Sequence, residues 1–197
     1  MDSRYGCAPK RDNVESLLRS PISVMAVGDP RQATFSTNRN PKNKQFKRSN
    51  IHGWIRKMEK CGICSVKEVT ECHRGNQAIR DFADALYPSR PKSVSRNEKE
   101  TGHDGVFLIS ELEVRDYYDR HKPVVLRWNK NSKTMDLPAQ NIGTKKGRTF
   151  DRVLIFPTGP MREYLATKDL SKAGDVSKLY VAITRARFSV AFAIPQK

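Results

Sequence analysis

Arg185 and Arg187 close a stretch from Leu179 to Arg187 that reads Leu-Tyr-Val-Ala-Ile-Thr-Arg-Ala-Arg. Val176, Leu179, Ile183 and Ala186 recur at the spacing of one helix face. Asp175 stands where a carboxylate can accept from the free N–H groups of a helix start. An arginine fixed near the end of a short, anchored helix presents a rigid fork of donors, which suits phosphate. The alternative is a solvated helix end carrying two ordinary cations.

Three other stretches hold groups of related chemistry. Gly28-Asp-Pro-Arg-Gln-Ala-Thr-Phe35 follows the apolar run Ile22 to Val27. Ligands of parallel α/β sheets bind beyond the carboxyl ends of strands. Asp29 and Gln32 are therefore placed to contact a polar ligand, with Gly28 allowing a close turn. Arg74 lies between a predicted strand and a predicted helix, where the helix's free N–H groups and dipole favour an anion. The loop from Asn141 to Arg152 has the glycines, lysines and threonines of a phosphate cradle. It is not a Walker A sequence, because Lys146 precedes Gly147 and no Gly-Lys-Thr/Ser closes it.

Basic residues dominate the chain. Its 197 residues carry a formal charge of +16 and a pI near 9.9, which favours polyanionic partners, nucleic acid first. Between Arg39 and Arg48 fall five Lys or Arg, among them Arg39, Lys42 and Lys44, and no acid. Phe35 precedes that run, Phe46 falls within it, and Trp54 follows. Charge interleaved with rings suits single-stranded nucleic acid. No apolar run approaches the roughly 20 residues that span a bilayer, and Met-Asp-Ser-Arg-Tyr-Gly at the start has no apolar signal core. A cytoplasmic protein with no membrane partner is the expectation. Cys61-x-x-Cys64 and Cys72-His73 could form a zinc site, but the second half is one adjacent pair and the intervening residues read as a strand. Reduced structural cysteines are expected instead.

The elements that must position these groups alternate. Strands are predicted at Ile22–Val27, Ser65–Thr70, Gly105–Ile109, Pro123–Trp128, Val153–Phe156 and Ser189–Ile194. Helices are predicted at Asn13–Leu18, Asn50–Lys60, along the Ile79, Phe82, Ala83, Leu86 stripe, from Ser110 to Arg120, around Met161–Leu165 and after Asp175. Ser110 and Glu113 have capping-box spacing. Such alternation argues for a mostly parallel α/β sheet flanked by helices, with room for one real core.

Four segments, in order, resemble one family. Val27 to Phe35 looks like motif III of the UvrD/Rep-type superfamily 1 helicases, Glu71 to Arg74 like motif IV, Ile142 to Val153 like motif V and Leu179 to Arg187 like motif VI. The form Thr-Phe-Asp-Arg-Val-Leu-Ile-Phe-Pro-Thr resembles that of a branch of small helicase-like proteins, some associated with phage defence. The resemblance implies a RecA-like fold of the P-loop NTPase type. Residues 1–48 would be a remnant of the first RecA-like domain and 49–197 the second. It implies catalytic roles for Gln32, Arg74 and Arg185, with Arg185 an arginine finger. Gly28, Asp29, Gly147, Thr149 and Tyr180 would join these three around the nucleotide, while Phe35, Arg39, Lys42, Lys44, Lys145 and Lys146 would follow single-stranded DNA.

The departures are equally specific. No Walker A sequence and no Asp-Glu pair ahead of Ile22 occur, so ATP and magnesium are expected to bind only with a separate N-terminal half. Gly143 and Thr149 replace the His and Glu usual in motif V. A non-catalytic basic nucleic-acid-binding or regulatory module derived from such a helicase is the rival expectation, and a zinc-dependent binder a third.

Overall fold

The computed structural model describes residues 16–34, 50–145 and 147–196. Expectations for Phe35, Arg39, Lys42, Lys44 and Lys146 lie outside these residues. The chain divides into two compact units, the first ending at Val69 and the second beginning at Thr70. No helix among the described residues is long and apolar enough to cross a membrane.

In the first unit, residues 16–18 are helical and helix α1 spans Ile51–Lys60, with Trp54 and Met58 buried. Arg56 pairs with Glu59 (2.7 Å) and also with Glu68, while Glu59 Oε1 accepts from the Val66 N–H at 2.9 Å. These bonds fold the segment after α1 back on the helix. Ile22–Val27 is not the buried strand expected. It forms no strand among the described residues, with Met25 90% and Val27 93% exposed. A strand needs a neighbour for its N–H and C=O groups, and none of the described residues supplies one. Ser65–Thr70 forms no strand either. Cys64 and Cys72 are free thiols, whereas Cys61 is disulfide-bonded, so the expectation of reduced cysteines fails at Cys61.

The second unit has the mostly parallel α/β architecture expected of a RecA-like domain. Its short strands β1 (Glu71–Cys72) and β2 (Val94–Ser95) pair in parallel around helix α2 (Gln77–Asp84). The main sheet contains β3 (Gly105–Ser110), β4 (Val124–Arg127), β5 (Ala139–Asn141), β6 (Phe150–Phe156) and β7 (Ala186–Ile194). Every pairing in it is parallel and the spatial order is β3-β7-β6-β4-β5. Helices α3 (Val114–His121), α4 (Gly159–Thr167) and α5 (Val176–Ile183) complete the unit.

Alternation along the strands sorts the core into two layers. Leu126, Val153, Ile155, Val190 and Phe192 point to the face covered by α2, α4 and α5. Val125, Leu154, Phe156, Ala191 and Ala193 point to the face covered by α3. The central strands are apolar on both faces because both are covered. Local signals set the helix starts. Asn76 caps α2, Asp175 caps α5, and Ser110 with Glu113 forms the expected capping box ahead of α3.

One cluster on the α3 face ties stability to pH. The His103 ring stacks on His121 (centroids 3.8 Å apart) and on Phe107 (4.2 Å), and its Nε2 lies 2.9 Å from the Tyr117 hydroxyl. Burial, then the charges of His121 and Arg152, push the His103 pKa down against the pull of Asp104. Burial, then Arg152 and Arg120, lower that of His121. Both folded-state values therefore lie below the unfolded one, near 6.5. Between the two, the unfolded chain binds more protons, so stability is full above about pH 6.5 and is lost as pH falls. Unfolding midpoints measured from about pH 8 to about pH 5 should show this decline, flattened by His121→Gln. A decline unchanged by that substitution would refer it to other groups.

Candidate phosphate-facing arginine site

Helix α5 ends at Ile183, Thr184 caps it, and β7 starts at Ala186. Arg185 sits in the tight turn between them. It is not a solvated helix end, for only 2% of the residue is exposed. Its Nη1 donates to the Arg148 carbonyl at 3.0 Å, and its own carbonyl accepts from the Phe150 N–H at 2.8 Å. The turn bearing Arg185 is thus stitched to the loop ahead of β6, where sequence placed the phosphate-cradle composition.

Among the described residues the guanidinium's other two nitrogens have no partner. Nε and Nη2 are buried without a hydrogen bond. Burial, and after it the charge of Arg74, push its pKa down, though a guanidinium remains charged. A buried cation with unmet donors beside a second cation is costly. An anion accepting from Nε and Nη2 would relieve both terms. Arg74 is half-buried in the turn between β1 and α2, where sequence placed it.

Gly147, with φ of +88°, needs the left-handed conformation that glycine adopts freely, and open space surrounds it. Thr149 is half-buried one residue ahead of β6. Lys145 ends a 3-10 turn from Ile142. Arg187 is exposed on β7 with Asp151 3.3 Å away. The arginine turn and the loop before β6 meet at the amino-terminal ends of β6 and β7, which pair as Phe150 with Ala186.

Tyr180 is part of the packed core, 1% exposed on α5. Its hydroxyl meets Arg80 Nη2 at 2.9 Å, and its ring meets Tyr87 edge-on. Arg80, Asp84 and Ser93 complete a buried polar cluster that ties α2 to the chain before β2. Sequence gave no warning of Arg80, because a charge on an amphipathic helix ordinarily faces solvent.

In the first unit, Asp29 Oδ1 accepts from the Arg31 N–H and Nε, both at 3.0 Å, and Oδ2 accepts from Gln32 Nε2 at 3.0 Å. Burial opposes ionisation of Asp29, but these bonds and the Arg31 charge outweigh it and hold the carboxyl below its usual range. Asp29 thereby fixes the Gln32 amide, while Gly28 is exposed.

The donor set fits the anionic end of a nucleotide. It does not fit magnesium: among the described residues no group of three His, Cys, Asp or Glu could hold a metal ion.

No family model and no curated protein matches the chain. It is similar to a solved structure of the PRRSV helicase, with 23% identity and a TM-score of 0.42 over 68% of this chain and 24% of that one. It is similar also to a crystal structure of PRRSV nsp10, a helicase, with 24% identity and a TM-score of 0.38 over 62% of this chain and 23% of that one. The chain spans about a quarter of the length of these two helicases.

Proposed function

We propose that this chain is the arginine-bearing portion of an ATP-dependent helicase or translocase acting on single-stranded DNA. The observation that carries the reading is the buried Arg185 guanidinium, with Nε and Nη2 unmet and Arg74 beside it. Phosphoryl transfer needs charge placed against the transferring group, and an arginine delivered from another domain or subunit supplies it. The site's location supports delivery of this kind. Parallel sheets hold their own ligands beyond the carboxyl ends of strands, whereas Arg185 lies at the amino end. From there it serves a phosphate held elsewhere.

The partner is a Walker A- and B-bearing half that holds ATP and magnesium. Gln32, fixed by Asp29, senses the γ-phosphate from the motif III loop. Thr149 and Gly147 border the phosphate that Arg185 meets, and the basic residues track DNA. Ile22–Val27 supports the same division: apolar on both faces, it has the composition of a strand from inside a parallel sheet, yet it lies exposed. Within the helicases the motif forms favour the UvrD/Rep type and its small phage-defence-like branch, working in the cytoplasm.

In this reading the purified chain alone turns over no ATP, since it lacks the phosphate and magnesium ligands. Colourimetric phosphate release with saturating single-stranded DNA checks this. Turnover by the chain alone that Arg185→Ala abolishes would overturn the division of labour.

A further inference from the structure

We infer that Asn76 is a positioning residue that sets the placement of Arg185 relative to Arg74, an inference that rests on the phosphate reading of that pair. Asn76 both caps α2 and reaches across this junction to β7. Its Oδ1 accepts from the Ile79 N–H at 3.1 Å and so starts α2. Its Nδ2 donates to the Phe188 carbonyl at 2.7 Å, and its backbone N–H donates to the Arg187 carbonyl at 2.9 Å. One side chain thus fixes the helix that follows Arg74 and grips the strand that follows Arg185.

The residues around it permit nothing looser. A Cβ on Gly75 would lie 3.2 Å from the Ala186 carbonyl oxygen, so the chain there runs against the start of β7. On the other side, Asn97 Nδ2 donates to the Arg74 carbonyl at 2.9 Å and Ser95 Oγ to the Gly75 carbonyl at 2.8 Å. The turn carrying Arg74 is held from β2 by Ser95 and Asn97 and from β7 by Asn76. Among the described residues, Asn76 is the one whose side-chain hydrogen bond links that turn to the Arg185 side. Two cations repel, and the donated bonds of Asn76 oppose their separation. An aspartate would supply the cap but not the donor, and a serine the cap without the reach.

The test compares Asn76→Ser and Asn76→Asp with Ser110→Ala. Each Asn76 variant keeps a cap acceptor and loses the bond to Phe188. Ser110→Ala removes a cap of the same kind at a distant helix start. The first readout is solvent exchange of the Arg185 Nε–H in the full chain without ligand, followed by NMR. Both Asn76 variants should accelerate it about tenfold, the effect of one lost hydrogen bond, and Ser110→Ala should not. The second readout is titration with inorganic pyrophosphate, whose affinity should fall by about the same factor in the Asn76 variants alone. Wild-type exchange in both Asn76 variants overturns the inference, as does equal acceleration by Ser110→Ala. If exchange accelerates as expected but pyrophosphate perturbs Arg185 in no form of the chain, the positioning role is upheld and the phosphate reading fails. Should Asn76→Ser not fold, Asn76→Asp carries both readouts.

Discussion

Arg185→Ala is expected to lower DNA-stimulated ATP turnover by roughly 10³ to 10⁵ once the chain is combined with the nucleotide-binding half that the proposed function requires. The size follows from what the side chain offers. Nη1 is committed to the Arg148 carbonyl, and this leaves Nε and Nη2 as donors already desolvated. Donors of this kind need no reorganisation as charge develops, which is why a preorganised group outweighs a solvated one. Lysine at this position should not rescue, because a point charge on a flexible stem cannot both hold the Arg148 carbonyl and present two further donors. Nucleotide affinity of the combined protein should change far less than the rate if Arg185 acts as proposed, on the transition state. Turnover and nucleotide binding measured on the same preparations separate the two effects. Equal losses in both would make Arg185 a binding group instead.

The second large effect concerns nucleic acid. With a formal charge of +16, any binding of a polyanion by this chain should be driven mainly by released counterions. If about 6 to 10 phosphates are neutralised, affinity for single-stranded DNA should fall about 10³- to 10⁵-fold between about 50 and 200 mM salt. Fluorescence anisotropy across that range gives the slope. An affinity that stays flat would remove the electrostatic account of binding. This prediction holds equally for a non-catalytic nucleic-acid-binding module, so it tests the partner and leaves the chemistry to the arginine experiment.

Much of the second unit was legible in the sequence because its elements are strongly patterned. The Ile79, Ala83, Leu86 stripe, the runs at 105–109 and 123–128 and the Ser110/Glu113 box each combine period with a local cap or stop. Strand β5, Ala-Gln-Asn, was not readable: three residues carry no period, and it exists because β4 offers it an edge. Ile22–Val27 failed in the opposite sense. Its composition is that of a buried strand, but burial needs a partner that composition cannot supply. Tertiary context also decided Arg185. The sequence showed an arginine after a short helix, while its burial comes from β7 beginning one residue later beneath the Arg148 carbonyl. The link that Asn76 makes to β7 was not readable, since it depends on a carbonyl from residue 188. Tyr180 lies inside the motif VI resemblance, and its hydroxyl is met by Arg80 in the core.

The claim that two halves make one machine is tested most directly by reconstitution. The chain is mixed with a separately expressed N-terminal half bearing Walker A and Walker B groups, and ATP hydrolysis is followed with and without single-stranded DNA. The account predicts no turnover from either part alone, DNA-stimulated turnover from the mixture, and loss of that turnover with Arg185→Ala. A mixture that forms a complex and binds ATP yet hydrolyses it no faster than the N-terminal half alone would contradict it.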